Sequence, residues 1–147
     1  MKFINSTIAE VSTEALWQAW ADVPSWPQWD REIVEAKLEG PFAVGVSGGM
    51  KSAKGGVWSK FRIVGIDKAK GYSCIVPLPG GRLTFNRSFE KLNTGALRIT
   101  HELDFTGLLG WLYAFIIGRP TNKIYPEMLQ TFVELVQERD RKDGLPS

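Results

Sequence analysis

The chain has 147 residues, 44% of them apolar and 23% charged, with a formal net charge of +2. That length suits one domain, read as 1–147, rather than two ordinary cores, and the composition is that of a globular chain rather than a disordered one. The basic residues are scattered, and Arg139, Arg141 and Lys142 are interrupted by Asp140 and Asp143, so no basic stripe invites nucleic acid.

Phe3 to Val11 mixes β-branched and polar residues and reads as a strand. Ser12 or Thr13 then caps a helix whose Leu16, Trp17 and Trp20 share a side. Asp22-Val23-Pro24 ends that helix, and Pro24 to Trp29 forms a second short helix or turn with Trp26 and Trp29 on adjoining sides. From Arg31 the period changes to two. Val34, Ala36 and Leu38 alternate with Glu35, Lys37 and Glu39 in a half-buried strand that Gly40-Pro41 stops. Gly45 to Gly56 holds glycines at 45, 48, 49, 55 and 56. It reads as a short twisted strand pair around a mobile loop, with the freedom to act as a lid. It matches neither glycine-rich phosphate-binding pattern.

Val57–Asp67, Tyr72–Val76, Arg82–Glu90 and Ala96–Thr106 follow as four strands of an antiparallel meander, joined by turns rich in glycine, proline or polar residues. A last turn centred near Thr94 pairs Phe85 with Leu103, Arg87 with His101 and Phe89 with Ile99, all on one face. The same bookkeeping puts Phe61, Ile63, Tyr72, Cys74 and Val76 on the inner face, and Arg82, Thr84, Asn86, Arg98, Thr100, Glu102 and Asp104 outside.

Leu108 to Ile117 is apolar but shorter than the roughly 18 residues a bilayer span needs. Two readings stay open: a helical lead-in covering the open end of the sheet, or a surface making peripheral contact with a membrane. In the long helix that follows, Tyr125, Met128, Leu129, Phe132, Val133 and Val136 form one apolar face, opposite Glu127, Gln130, Glu134 and Glu138. Pro120 suits its first turn. Pro126 removes a backbone hydrogen bond inside it and is expected to bend the axis, leaving space beneath.

This order of elements resembles the StAR-related lipid-transfer-like, or SRPBCC helix-grip, superfamily, and within it the bacterial polyketide cyclase/dehydrase and lipid-transport group. The resemblance spans nearly the whole chain. It is carried by Asp22-Val-Pro-Ser-Trp26-Pro-Gln-Trp29-Asp30 and Leu38-Glu-Gly-Pro-Phe-Ala-Val-Gly45, with weaker support from Pro77-Leu-Pro-Gly-Gly81, Thr100-His101 and the closing helix. It implies an α+β fold: a curved antiparallel sheet of about seven strands wrapped around a long C-terminal helix, two short helices after strand 1, and a ligand cavity between sheet and helix. Such proteins include lipid and sterol carriers, aromatase/cyclases and hormone receptors, so the fold does not choose among them.

The candidate cavity lining is then Phe61, Ile63, Tyr72, Cys74, Phe85 and Leu103 from the sheet, and Tyr125, Met128 and Phe132 from the helix. Trp26, Trp29 and Trp111 stand as candidates for the entrance, each lining the cavity or packing behind it. His101 and Arg87 are the candidate chemical groups. A neutral imidazole could accept a proton from an enolisable guest while Arg87 stabilises the oxyanion. Alternatively the two are structural, with Arg87 matched by Asp30, Glu32 or Glu102. One histidine and one cysteine cannot make an ordinary nitrogen and sulfur metal site, and no cofactor is expected. Cys74 reads as buried filler rather than a nucleophile, and no G-x-S-x-G elbow marks a hydrolase.

A lone cysteine excludes an internal disulfide, and Met1 to Glu10 lacks the pattern of a signal peptide, so a cytoplasmic protein without a transmembrane segment is expected. The partner is expected to be a hydrophobic or amphipathic small molecule such as a lipid, sterol or polyketide. The alternatives are a polyketide cyclase/dehydrase-type enzyme using cavity acid/base residues, and a stress-related or partner-binding protein whose cavity is incidental.

Overall fold

Among the described residues seven strands form one antiparallel sheet: β1 (Lys2–Ala9), β2 (Ile33–Leu38), β3 (Ser47–Ser52), β4 (Trp58–Asp67), β5 (Gly71–Leu78), β6 (Gly81–Lys91) and β7 (Leu97–Thr106), ordered β1-β7-β6-β5-β4-β3-β2. This is a computed structural model, and it describes residues 1–143; residues 144–147, which the domain reading includes, lie outside the described residues. The sheet curves around the long helix α3 (Arg119–Asp143) in the helix-grip α+β arrangement. Between β1 and β2, which are opposite edges, the chain runs through α1 (Thr13–Ala21) and a 3₁₀ turn, Val23–Gln28.

The β6–β7 register is the one expected, with Phe85 opposite Leu103, Arg87 opposite His101 and Phe89 opposite Ile99. On the outer face Ser73, Asn86 and Glu102 form a polar ladder. Ser73 donates to Asn86 Oδ1 at 2.5 Å, and Asn86 donates to Glu102 at 2.7 Å. α3 buries Tyr125, Met128, Leu129, Phe132, Val133 and Val136, together with Thr121, against the inner face.

Both ends of α1 are tied to the last turns of α3. Ser12 Oγ accepts the Ala15 N–H at 3.1 Å, capping α1, while the Ser12 N–H and hydroxyl donate to Asp140 at 2.9 and 2.8 Å. At the other end Arg139 donates to Asp22 at 2.7 Å.

Two expectations are corrected. Val34, expected inside, is exposed, because a register shift between Ile33 and Glu35 moves it to the solvent side. Gly45–Gly56 is not a strand pair around a loop. Ser47–Ser52 is a single interior strand between β2 and β4, with Gly45 in the turn before it and Gly55 and Gly56 in the turn after it. Gly48 lies so close to its neighbours that an added Cβ would meet the Phe61 ring at 2.4 Å and the Lys37 carbonyl at 2.5 Å. A strand bonded on both sides is not a lid.

The helix carries Pro126 within α3, and a feature that its spacing does not announce: a π turn, Ala114–Gly118, between the short helix α2 (Gly110–Tyr113) and α3. Pro120 lacks the N–H that residue 116 would bind and its ring crowds that carbonyl, so a widened turn immediately upstream relieves both. This lead-in does lie on the sheet, through the buried small residues Gly110, Ala114 and Gly118. Its large apolar side chains Leu108, Trp111, Phe115 and Ile116 point outward. No helix among the described residues is long and apolar enough to cross a membrane.

Candidate functional site

The space between sheet and α3 is filled at one end and hollow at the other. Trp20, Trp26, Trp29, Phe61 and Phe132 are fully buried and pack on one another; the Trp26 and Phe61 rings stack at 5.3 Å and Trp29 meets Phe132 edge-on at 5.0 Å. The 3₁₀ turn brings both Trp26 and Trp29 inward, and Trp26 Nε1 donates to the Trp20 carbonyl at 3.0 Å. Beyond this plug a cavity of about 420 Å³ remains. Its walls include Ile33, Met50, Val76, Leu78, Leu83, Phe85 and Leu103 from the sheet, and Ile116, Ile117, Thr121 and Tyr125 from the helical side. Asp30, Glu32 and Arg87 also line it, and the exposed Lys54, Ile116 and Pro120 stand at its rim. That volume is within the range of small-molecule sites.

Of the expected lining, Phe85, Arg87, Leu103 and Tyr125 meet in this cavity. Phe61, Ile63, Tyr72, Cys74, Met128 and Phe132 belong to the packed core around it. Trp26 and Trp29, each 1% exposed, pack behind the cavity rather than at an entrance, and Trp111, 65% exposed, stands outside it. Ile116, Ile117, Asp30 and Glu32 are additions to the expected lining. The first two arrive through the π turn, which no residue pattern announces, and the acidic pair through the sharp exit from the 3₁₀ turn.

Arg87 is central. Its place on β6 between Phe85 and Phe89 turns it inward, and Gly71 makes room for that strand, since a Cβ there would sit 1.9 Å from the Arg87 carbonyl. The guanidinium lies 4.7 Å from the rings of Trp26 and Phe85 and 4.9 Å from Trp29. Nη1 donates to the Tyr72 hydroxyl at 2.5 Å, and Nε has no partner. Desolvation works against the charge, but the oxygens of Tyr72, Tyr125 and Asp30 outweigh it and keep Arg87 protonated.

His101 does not line the cavity. The Trp20 indole N–H, which can only donate, points at Nε2 from 3.2 Å, so that nitrogen carries the lone pair. The proton therefore sits on Nδ1, which donates to the Tyr125 hydroxyl at 2.9 Å. Burial, with the nearby Arg87 charge, pushes the imidazole well below its ordinary pKa, so the neutral ring is the native form. Its one basic site is occupied, which corrects the expectation of His101 as proton acceptor. The group presented to the cavity is the Tyr125 hydroxyl, whose own proton is free to point at a guest. Burial raises the Tyr125 pKa, making it a hydrogen-bond donor rather than an acid.

Asp30 Oδ1 accepts the Glu32 N–H at 2.9 Å. Desolvation holds its carboxyl above the usual range, against the opposing pull of that bond and of Arg87. Glu102, a candidate partner for Arg87 by sequence, is on the outer face.

No family model matches the chain, and no curated protein matches it by sequence. Solved structures do resemble it. Ara h 8.0201 superposes with a TM-score of 0.72 at 15% identity, covering 94% of this chain and 98% of its own. TTHA0849 from Thermus thermophilus gives 0.70 at 10% identity, with 94% and 98% covered. Norcoclaurine synthase from Thalictrum flavum, in complex with dopamine and hydroxybenzaldehyde, gives 0.69 at 12% identity, with 94% and 87% covered. All three superpose over nearly their whole length, and this chain shares their helix-grip fold.

Proposed function

We propose that the chain binds a small hydrophobic or amphipathic molecule, of lipid, sterol or polyketide-like character, in the cavity between α3 and the sheet. The observation that carries this reading is the cavity of about 420 Å³ with mostly apolar walls, left open beside an otherwise filled core. The complex of norcoclaurine synthase with two small aromatic molecules supports it by analogy of fold. Native mass spectrometry of protein isolated from its host, together with quenching of tryptophan fluorescence by fatty acids, sterols and flavonoids, tests it. Retention of a guest, and its loss in a Val76→Trp variant that fills the cavity, is the expected result. An empty spectrum with no quenching by any class would instead favour a partner-binding protein whose cavity is incidental.

A second reading, a polyketide cyclase/dehydrase-type enzyme, is favoured by Asp30, Arg87 and Tyr125 sharing one cavity. In it Asp30 takes the proton that His101 cannot, and Arg87 and Tyr125 hold the resulting oxyanion. Deuterium exchange into a bound ketone that is abolished by Asp30→Asn would support it. Exchange unaffected by that change would exclude it.

The outward Trp111, Phe115 and Ile116 adjoin the rim, and Ile116 belongs to both patch and cavity wall. A guest therefore passes between the cavity and a lipid surface by this side, with Arg119 and Lys123 nearby in sequence to meet anionic headgroups. Vesicle co-sedimentation weakened by Trp111→Ser with Phe115→Ser is the expected result. The single buried cysteine fits a reducing cytoplasm.

A further inference from the structure

We infer that the guest carries an anionic head group, a carboxylate, seated on the guanidinium edge of Arg87 that Tyr72 leaves free, with the Tyr125 hydroxyl as second donor. This rests on the ligand-binding reading above and specifies the class of ligand.

Arg87 is only 5% exposed, yet among the described residues no carboxylate oxygen lies within 4.0 Å of its nitrogens. A buried cation is normally compensated by an ion pair, because desolvation is costly. Here the oxygens that the guanidinium meets are those of neutral phenols, Tyr72 and, beside it, Tyr125, and Nε is left without an acceptor. The surrounding rings of Trp26, Trp29 and Phe85 attract the cation but offer no oxygen acceptor to its N–H groups. A planar carboxylate matches the guanidinium's forked donors and would supply one.

The cavity supplies the rest of the match. Tyr125 accepts from His101 and so has a proton to give. From Arg87 and Tyr125 the apolar walls of Val76, Leu83 and Leu103 lead on, while Ile116 and Lys54 stand at the rim. An amphipathic acid placed this way buries its tail and gives the buried cation a counter-ion. Asp30 shares the lining, but its carboxylate is engaged by the Glu32 N–H and is beyond ion-pair distance of Arg87. It opposes an anion only while ionised.

Calorimetric titration of the full chain with decanoate, decanol and decyltrimethylammonium tests the inference. Decanoate is expected to bind roughly ten- to a hundredfold more tightly than decanol, the factor expected of hydrogen bonds to a charged group, with the cation weakest. Arg87→Met is expected to abolish the preference for acid over alcohol. Tyr125→Phe, which removes one hydroxyl and keeps the ring, is expected to narrow it, so the test survives if the arginine variant does not fold. Decanol binding as tightly as decanoate overturns the anionic head group while leaving the ligand-binding reading intact. Binding of neither, with sterols and flavonoids also failing, overturns both; a guest found only among neutral sterols or flavonoids overturns the inference alone.

Discussion

The indole N–H of Trp20 donates to Nε2 of His101 across 3.2 Å, and this single bond sets the tautomer of the ring. Protonation of Nε2 would turn an acceptor into a second donor facing a donor, inside a packed core. The sign of the resulting pH dependence follows. The folded pKa lies well below the ordinary 6.5, so the native state binds fewer protons than the unfolded one once the pH drops below that value. The stability due to neutral His101 is therefore present above pH 6.5 and lost on acidification, by up to about 1.4 kcal/mol per pH unit. Urea denaturation between pH 7.5 and 5 is expected to show this slope in the native protein, and His101→Gln is expected to flatten it. Equal slopes would mean that the imidazole is protonated without cost.

Asp30 carries the opposite sign. Its folded pKa is raised by desolvation, so its contribution to stability is greatest at low pH and is lost as pH rises through the folded value. Asp30→Asn is expected to raise the melting temperature at pH 7.5 and to change it little near pH 3.5. The groups facing Asp30 are Arg87, Glu32 and Tyr125. A decanesulfonate probe, ionised throughout, is expected to bind the native protein more tightly as pH falls and Asp30 takes up a proton. In Asp30→Asn it should bind tightly with little dependence on pH. A sulfonate whose affinity ignored both pH and this substitution would place Asp30 away from the head group.

Cys74 is fully buried, and burial pushes its thiol up to about 12, Arg87 notwithstanding. At neutral pH the thiolate is then on the order of 10⁻⁵ of the total. Reaction with a disulfide reagent is expected to be negligible in the native protein over hours and complete once urea unfolds it. Modification within minutes under native conditions would show an opening of the sheet that this packing does not include.

Ser12 caps α1 and also ties it to Asp140 on α3. Ser12→Ala is expected to cost about 2–4 kcal/mol, the loss of a cap plus a hydrogen bond to a charged group. Combining it with Asp140→Asn in a double-mutant cycle should give a coupling energy clearly different from zero. Additive losses would mean that cap and tether act independently.

Much of the scaffold is legible from local signals. The β6–β7 register follows from the turn near Thr94, because alternation places every second residue on one face. The inner face of α3 follows from spacing alone. What alternation cannot see is the single-residue shift that exposes Val34, or the interior strand hidden among glycines at 47–52. Gly48 is there because Phe61 and the Lys37 carbonyl press against it, and Gly49 lies under the Trp58 ring, contacts that exist only once the sheet is assembled. The site shows the same division. Arg87 and His101 are expected on the inner face, and they are there. How much of that interior is hollow depends on where Trp26 and Trp29 come to rest, and the 3₁₀ turn drives them into it. The role of His101 depends on Trp20, distant in sequence, which reaches its acceptor nitrogen.

The pairing of Lys2 with Asp104 along the β1–β7 seam has a kinetic consequence. A strand made early in synthesis must wait for its neighbour until most of the polypeptide has emerged. The entropy of closing so long a loop must be met before those ladder bonds form. Assembly should thus begin within the locally connected β4–β7 hairpins, reach the β1 edge last, and proceed over milliseconds to seconds rather than microseconds. Until that seam closes, the edge of β7 stays open to pairing with another chain, which makes crowded refolding the condition under which this molecule is most prone to aggregate.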